Sequence, residues 1–120
     1  AKGRVIPHYM RPGHTAVPGT LDGDRLFLSA KSAGGAGDDI ESQFRQSMQY
    51  QLDSLKLTGM GFENVVSTNV YLKNLDDMPK MTELFREYFP NNPPVRTTLQ
   101  VIEAGPREKV LEEISMIAVR

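Results

Sequence analysis

Arg96 is the side chain that the sequence most clearly places where it could bind a ligand. It lies in the extended run 93–101, where apolar and polar residues alternate as they do in a strand with one buried face. The face expected to meet the core carries Val95, Thr97, Leu99 and Val101. The opposite face carries Arg96, Thr98 and Gln100. A guanidinium is permanently charged, and its planar fork of donors fits a carboxylate through two hydrogen bonds. The pattern indicates either an anion-binding arginine or an arginine on a solvated sheet surface.

Glu113 is the second candidate for chemistry, because it lies in the closing run 110–119, which also alternates. Adjacent residues of a strand point to opposite faces, so Glu112 and Glu113 do not form a carboxylate dyad. Partly apolar neighbours such as Ile117 would raise the pKa of Glu113 toward the range useful for proton transfer, and a nearby arginine would oppose that shift. Glu113 is therefore either a general base or a salt-bridge partner of Arg96 or Lys31.

Composition limits the classes of protein to which this chain can belong. With 120 residues, 39% of them hydrophobic, it can bury one small core, and we expect a single domain over residues 1–120. A net charge of −1 gives no support to a binder of phosphate backbones, so we expect no nucleic-acid partner. The absence of cysteine excludes disulfides and thiolate chemistry. No apolar run approaches the ~20 residues of a membrane span, and the chain is predicted to be soluble and cytoplasmic.

The elements that position these residues follow from hydrophobic periodicity and from turn residues. Alternation predicts strands at 3–8, 25–31, 65–73, 95–101 and 110–119, with an Asp22-Gly23 hairpin turn before the second. Apolar residues at helical spacing predict a first helix from a cap at Asp38 or Asp39 to Gly59. A second helix is predicted to start at Asp76-Asp77, read as a cap, and to end at Pro90.

This order of elements predicts an α+β layer in which two helices cover one face of a sheet. The apolar sides of the strands, including Ala30 and Val66, would pack beneath the helices. The opposite face would hold Phe27, Ser29, Lys31, Asn69, Tyr71, Arg96, Thr98, Glu113, Ser115 and Ile117. That set is too polar for a dry core and too apolar for an ordinary solvated surface, so we expect other copies of the chain to cover it. A site containing Arg96 and Glu113 would then lie near a subunit boundary.

Several segments together resemble the RidA (YjgF/YER057c/UK114) family of reactive imine and enamine deaminases. They are Gln46-Ser47-Met48, the 59–66 turn with the Ser-Thr-Asn-Val-Tyr-Leu strand after it, Phe85-Arg86-Glu87-Tyr88-Phe89, Pro94-Val95-Arg96, and the closing 113–118 segment. They span about the last two thirds of the chain, and the Pro-x-Arg element is the most specific. The resemblance implies a chorismate-mutase-like fold with a single layer of two helices on a mixed sheet. It also implies a homotrimer whose sheets line a central barrel, with sites between subunits.

The resemblance also implies an activity, hydrolysis of 2-imino or 2-enamino acids to 2-keto acids and ammonia, with no cofactor and no metal. By position, Arg96 matches the arginine that binds the substrate carboxylate, and Glu113 matches a glutamate that positions or activates water. Thr98 stands where many members have cysteine. Ser29 and Ala30 stand where the family usually has Ser-Gly, near the bound substrate.

Two departures from the family pattern affect the pocket for the substrate's side chain. The usual Gly-Pro-Tyr element near the N-terminus has no counterpart, and His14 to Gly19 stand in that region. Thr82 occupies a position in the second helix where asparagine is common. A divergent paralogue is therefore as plausible as a typical member.

Weaker motifs leave two function classes open. The 34–37 glycine loop lacks the Lys-Ser or Lys-Thr of a phosphate cradle, and His8 and His14 have no metal-ligand spacing. Neither histidine is placed beside Arg96, so the RNA-cleaving activity sometimes attached to relatives has no support. The chain is predicted to be either the deaminase or a non-catalytic trimeric module that binds a carboxylate metabolite or acts as a chaperone.

Overall fold

The computed structural model describes residues 19–101 and 109–120 together with the backbone of Arg4 and Val5. Six strands and two α-helices occur in these residues. In chain order they are β1 (Arg4–Val5), β2 (Gly19–Asp22), β3 (Arg25–Lys31), α1 (Ile40–Leu57), β4 (Val65–Leu72), α2 (Met78–Tyr88), β5 (Val95–Gln100) and β6 (Glu112–Val119). The predicted strands and helices are confirmed wherever they fall on described residues. The sequence also predicts a turn at Gly105-Pro106, and these two residues lie outside the described ones.

The strands form one mixed sheet in the order β1-β2-β3-β6-β4-β5. All neighbouring pairs are antiparallel except β4 and β5, which are parallel and are joined through α2. Both helices pack on one face, where the core contains Leu26, Leu28, Phe44, Met48, Leu55, Val70, Leu72, Met81, Leu84, Ile114 and Met116. The expected layer of two helices on one side of a sheet is confirmed.

Helix α1 begins and ends at the residues that local chemistry favours. Asp39 adopts an extended backbone conformation, and its carboxylate accepts a 3.3 Å hydrogen bond from Ser42 N. The helix ends before Thr58, and Gly59 has a φ of 76°, which glycine tolerates at a C-terminal cap. Asp39 is thus the N-cap, one of the two predicted residues.

The start of α2 differs from the prediction. A 3₁₀ turn over Leu75–Asp77 precedes the helix, and Asn74 Oδ1 accepts a 2.9 Å hydrogen bond from Asp76 N. The carboxylate of Asp77 makes no capping hydrogen bond. Asn74 is therefore the residue that caps the start of this helical segment, because its side chain accepts a hydrogen bond from an N–H group of the first turn.

Two β-bulges shift the predicted faces of β3 and β4. In β4, Val65 lies opposite Ala118 and Ser67 opposite Ile117, so Val66 is the extra residue of a bulge and is 48% exposed instead of packing in the core. In β3, the register shifts between Leu28 and Lys31. Ala30 is consequently exposed, and Lys31 stands opposite Ile114 on the face that the helices cover, so simple alternation fails there.

The two faces of β5 are the reverse of the prediction. Arg96 lies opposite Thr68 and Thr98 opposite Val70, which places both on the face that the helices cover. The apolar set is instead exposed, with Val95 68% and Leu99 50% accessible. β5 is an edge strand, and alternation shows that its two faces differ without showing which one meets the helices.

The sheet face turned away from the helices is called the open face below. It comprises Phe27, Ser67, Asn69, Tyr71, Val95, Thr97, Leu99, Glu113, Ser115 and Ile117, which stand opposite one another in the strand registers. One row of this face crosses four strands as Phe27, Ile117, Ser67 and Val95. The open face is mixed in polarity, as predicted, but Arg96 and Thr98 do not belong to it.

Candidate functional site

Arg96 lies near the start of β5, at the sheet edge beside α2. Its Nη2 donates a 2.9 Å hydrogen bond to Thr82 Oγ1, and its Cζ lies 5.1 Å from the centroid of the Phe85 ring. Residues three apart on a helix share one side, so the hydroxyl and the ring hold the guanidinium together. A guanidinium has five N–H donors, and this arrangement leaves donors for a carboxylate.

The charge of Arg96 is not neutralised by the part of the chain that the structure describes. Within residues 19–101 and 109–120, no carboxylate oxygen lies within 4.0 Å of its guanidinium nitrogens. Partial burial and, secondarily, the positive charge of Arg86 lower the pKa of Arg96, although the group remains protonated. A bound anion would favour the charged guanidinium and so offset both effects on its pKa.

Thr98 follows Arg96 on the same face of β5 and is half-buried opposite Val70. Its position keeps the two residues side by side, as the sequence predicted, but on the helix side of the sheet. Its role toward a ligand stays a prediction.

Glu113 lies on the open face, half-buried and opposite Tyr71. It lines a cavity of about 60 Å³ together with Tyr71, Lys73 and Val110. The lining therefore combines aromatic, aliphatic and charged groups, and the catalytic role of Glu113 stays a prediction.

Arg96 and Glu113 do not meet within one chain. They lie on opposite faces of the sheet, and β4 separates their strands. Arg96 pairs with Thr68 and Glu113 with Tyr71, so the two residues are separated by two strand spacings across the sheet and by three residues along β4. Their Cα atoms are therefore about 14 Å apart. The prediction that both side chains share one face is therefore wrong, because it rested on the reversed assignment for β5.

Ser29 and Ala30 form the bulged part of β3. The Ser29 carbonyl accepts a 3.0 Å hydrogen bond from Gln51 Nε2, and Lys31 Nζ donates to both Ser29 O and Ser29 Oγ at 3.0 and 2.9 Å. Burial lowers the pKa of Lys31 to about 8. These contacts fix the local shape, and the predicted nearness of Ser29 and Ala30 to substrate stays a prediction.

Glu112 is a buried titratable residue whose burial the sequence interpretation did not pursue. It is 1% exposed, Ser47 Oγ donates a 2.5 Å hydrogen bond to its Oε1, and its Oε2 makes no hydrogen bond with the described residues. Burial raises the pKa of Glu112 to about 8, and the Ser47 hydrogen bond opposes that shift. The sequence contained a signal of this burial, because alternation places Glu112 on the same strand face as the apolar residues Ile114 and Met116.

No group of three or more metal-ligating side chains occurs in residues 19–101 and 109–120. His8 and His14 lie outside the described residues, as do most positions of the 14–19 segment. In the same described residues, neither helix combines the length and the apolar character needed to cross a membrane. The predicted compartment, the cytoplasm, stays a prediction.

Comparison with known proteins identifies the family. A family described as Endoribonuclease L-PSP matches residues 23–120. The chain belongs to this family. A RutC family protein of Saccharolobus solfataricus is 34% identical over 106 residues, which cover 83% of this chain and 82% of that protein. The human 2-iminobutanoate/2-iminopropanoate deaminase is 28% identical over 81 residues, which cover 68% of this chain and 58% of the human protein.

A solved member of the family shares the fold. A Mycobacterium tuberculosis protein of the YjgF/YER057c/UK114 family superimposes with a TM-score of 0.83 at 19% identity, covering 98% of each chain. The matching family and the relatives above confirm the resemblance to the RidA family, and the superposition confirms the predicted fold, a single layer of two helices on a mixed sheet. The homotrimer stays a prediction, since the structure contains one chain.

Proposed function

We propose that this L-PSP family member hydrolyses 2-imino or 2-enamino acids to 2-keto acids and ammonia, with Arg96 holding the substrate carboxylate. The observation that carries this proposal is the positioned guanidinium of Arg96, which Thr82 and Phe85 hold and no described carboxylate neutralises. The human relative, which is named as an imine deaminase, supports the class of reaction.

In the proposed reaction, Arg96 fixes the imino acid through its carboxylate so that the C=N carbon faces a water molecule. A carboxylate base takes a proton as the water oxygen bonds to that carbon, and the C=N π electrons move to nitrogen. The base returns this proton to the nitrogen, which gives a carbinolamine. Its hydroxyl proton is then passed to the nitrogen through the same base as the C=O bond forms and the C–N bond breaks, so that ammonia leaves and the keto acid remains. An enamine reaches the same path after protonation at its β-carbon. We assign the base to Glu113.

With Glu113 as the base, we propose that Arg96 and Glu113 of one site come from two copies of the chain. Arg96 lies at the outer edge of the sheet on the helix side, whereas Glu113 lies on the open face about 14 Å away within one chain. A substrate of only a few atoms cannot reach both. A neighbouring subunit that covers the open face at this edge would supply the missing residue, in line with the predicted site between subunits.

The first test is release of keto acid and ammonia from imines that a dehydratase generates in the presence of the protein. Arg96→Ala should lower binding of a keto-acid product by about 2–5 kcal/mol, and Arg96→Lys should rescue poorly because an ammonium lacks the planar fork. Arg45→Ala is the matched control, since Arg45 pairs with Glu41 and Glu87 on the helices. Wild-type activity in Arg96→Ala would contradict the proposal.

The second test concerns Glu113 and the origin of the base. Glu113→Gln should lower turnover by about 10²- to 10⁴-fold while keto acids still bind. Mixing unfolded Arg96→Ala and Glu113→Gln chains in equal amounts and refolding them should restore about one quarter of wild-type activity, since one interface in four then holds both intact residues. Full activity in Glu113→Gln would exclude the base. Tight binding without turnover in the wild type would favour the non-catalytic module.

A further inference from the structure

Thr82 and Arg86 lie one turn apart on the side of α2 that borders Arg96. Residues four apart on a helix are neighbours, with a rise of about 6 Å between their Cα atoms. Thr82 contacts the Arg96 guanidinium directly. The charge of Arg86 is close enough to contribute to the environment of Arg96. The anchor for one carboxylate therefore has a second guanidinium beside it.

The acidic residues nearest to Arg86 in sequence already have other partners. Glu83 pairs with Lys80 at 3.4 Å, and Glu87 pairs with Arg45 at 3.0 Å. Among residues 19–101 and 109–120, no carboxylate oxygen lies within 4.0 Å of the Arg86 guanidinium. Like charges placed together repel each other, and an anion bound between them offsets this repulsion. An excess of positive charge therefore surrounds the ligand position at Arg96.

We infer that Arg86 binds a second anionic group and makes the site selective for 2-imino acids whose side chain ends in a carboxylate. This inference rests on the proposed function, since it uses Arg96 as the anchor of the first carboxylate. The substrate class is the set of imines formed from acidic amino acids, whose two carboxylates can engage one guanidinium each. Arg86 acts on specificity and takes no part in the bond changes.

The selectivity can be measured with product analogues of equal length. 2-Oxoglutarate and 2-oxopentanoate have the same carbon chain and differ in the terminal carboxylate. Isothermal calorimetry at low salt should give a dissociation constant for 2-oxoglutarate about two- to fivefold below that for 2-oxopentanoate, the range of an exposed ion pair. The ratio should approach one in 0.5 M NaCl, where screening is strong.

Variants separate Arg86 from general surface charge. Arg86→Gln should reduce the affinity ratio to about one, and Arg86→Glu should reverse it. Lys56→Gln, which removes an exposed cation in the last turn of α1, is the control and should keep the wild-type ratio.

The outcomes distinguish this inference from the proposed function. If wild-type protein binds both acids equally, or if Arg86→Gln keeps the preference, the inference is wrong and the Arg96 anchor stands. If neither acid binds to the wild type, both the inference and the anchor are wrong.

Discussion

Replacing Glu112 with glutamine should change how the stability of the protein depends on pH. Glu112 is 1% exposed, and among the described residues it accepts one hydrogen bond, from Ser47. Because burial raises the pKa of Glu112 to about 8, the folded protein holds this proton at neutral pH. Glutamine has nearly the same shape and cannot ionise, so the variant isolates the effect of the proton.

The sign and size of the effect follow from linkage. The unfolded chain releases the Glu112 proton near the ordinary value of 4.5, whereas the folded protein keeps it until about pH 8. The stability from this group is fully present below pH 4.5 and is lost as the pH rises toward 8. At about 1.4 kcal/mol per pH unit, the interval of about 3.5 units corresponds to at most about 5 kcal/mol.

The assay is urea unfolding of wild type and Glu112→Gln at pH 5, 6, 7 and 8, with the protomer concentration fixed. The free energy of unfolding of the variant, relative to wild type, should rise with pH by about 2–4 kcal/mol over these three pH units. The variant has an unpaired buried amide where the wild type has an unpaired hydroxyl, and this exchange can change the free energy of unfolding by the same amount at every pH. The decisive quantity is therefore the slope of the free-energy difference against pH. Glu63→Gln, at an exposed carboxylate, is the control.

Parallel pH curves for wild type and Glu112→Gln would refute the reasoning. They would show that Glu112 ionises at its ordinary pKa in the folded protein, and therefore that water or a cation reaches its Oε2. A steep slope in Glu63→Gln as well would assign the pH dependence to net charge instead of to burial.

Three further outcomes are expected from single contacts. Thr82→Val removes the acceptor for Arg96 Nη2 and should weaken 2-oxobutanoate binding about two- to tenfold in calorimetry without unfolding the protein; unchanged affinity would contradict this. Ile117→Asp on the open face should yield monomers in light scattering, whereas Leu57→Asp at the exposed end of α1 should not; an intact oligomer in Ile117→Asp would contradict this. Gln43→Ala removes three side-chain hydrogen bonds, two to the segment before β6 (Lys109 O and Leu111 N) and one to Gly37 O before α1, and should cost about 1–3 kcal/mol in urea unfolding; a loss below about 0.5 kcal/mol would contradict this.

The helices and strands could be predicted from the sequence because the signals that start and end them are local. Asp39 caps α1 with its own side chain, and Gly59 takes the left-handed conformation that ends it. The faces of β6 were predictable as well, because Ile114 and Met116 are apolar and pack in the core beneath the helices. Local chemistry and burial agreed at these positions.

Bulges were not predictable from the alternation alone. The extra residue at Val66 has nothing in its own type to mark it, because valine suits either face of a strand. At the shift in β3, Gln51 of α1 contacts both strands, since its Nε2 donates hydrogen bonds to Ser29 O and Ile114 O. Such tertiary contacts override a two-residue period, so the predicted face of Lys31 was wrong although its strand was right.

The reversed faces of β5 bear on the assembly. An edge strand whose apolar side chains pack against its own helices would bury them within one chain. Here Val95 and Leu99 instead face away from the helices, in line with Phe27 and Tyr71. The apolar groups of β5 therefore gain burial only if another molecule covers the open face, and the same contact would bring a foreign Glu113 toward Arg96. Under the proposed assembly, the wrong face predicted for Arg96 and the second subunit in the site have one cause. The apolar residues of β5 would pack against a partner, which alternation within a single chain cannot reveal.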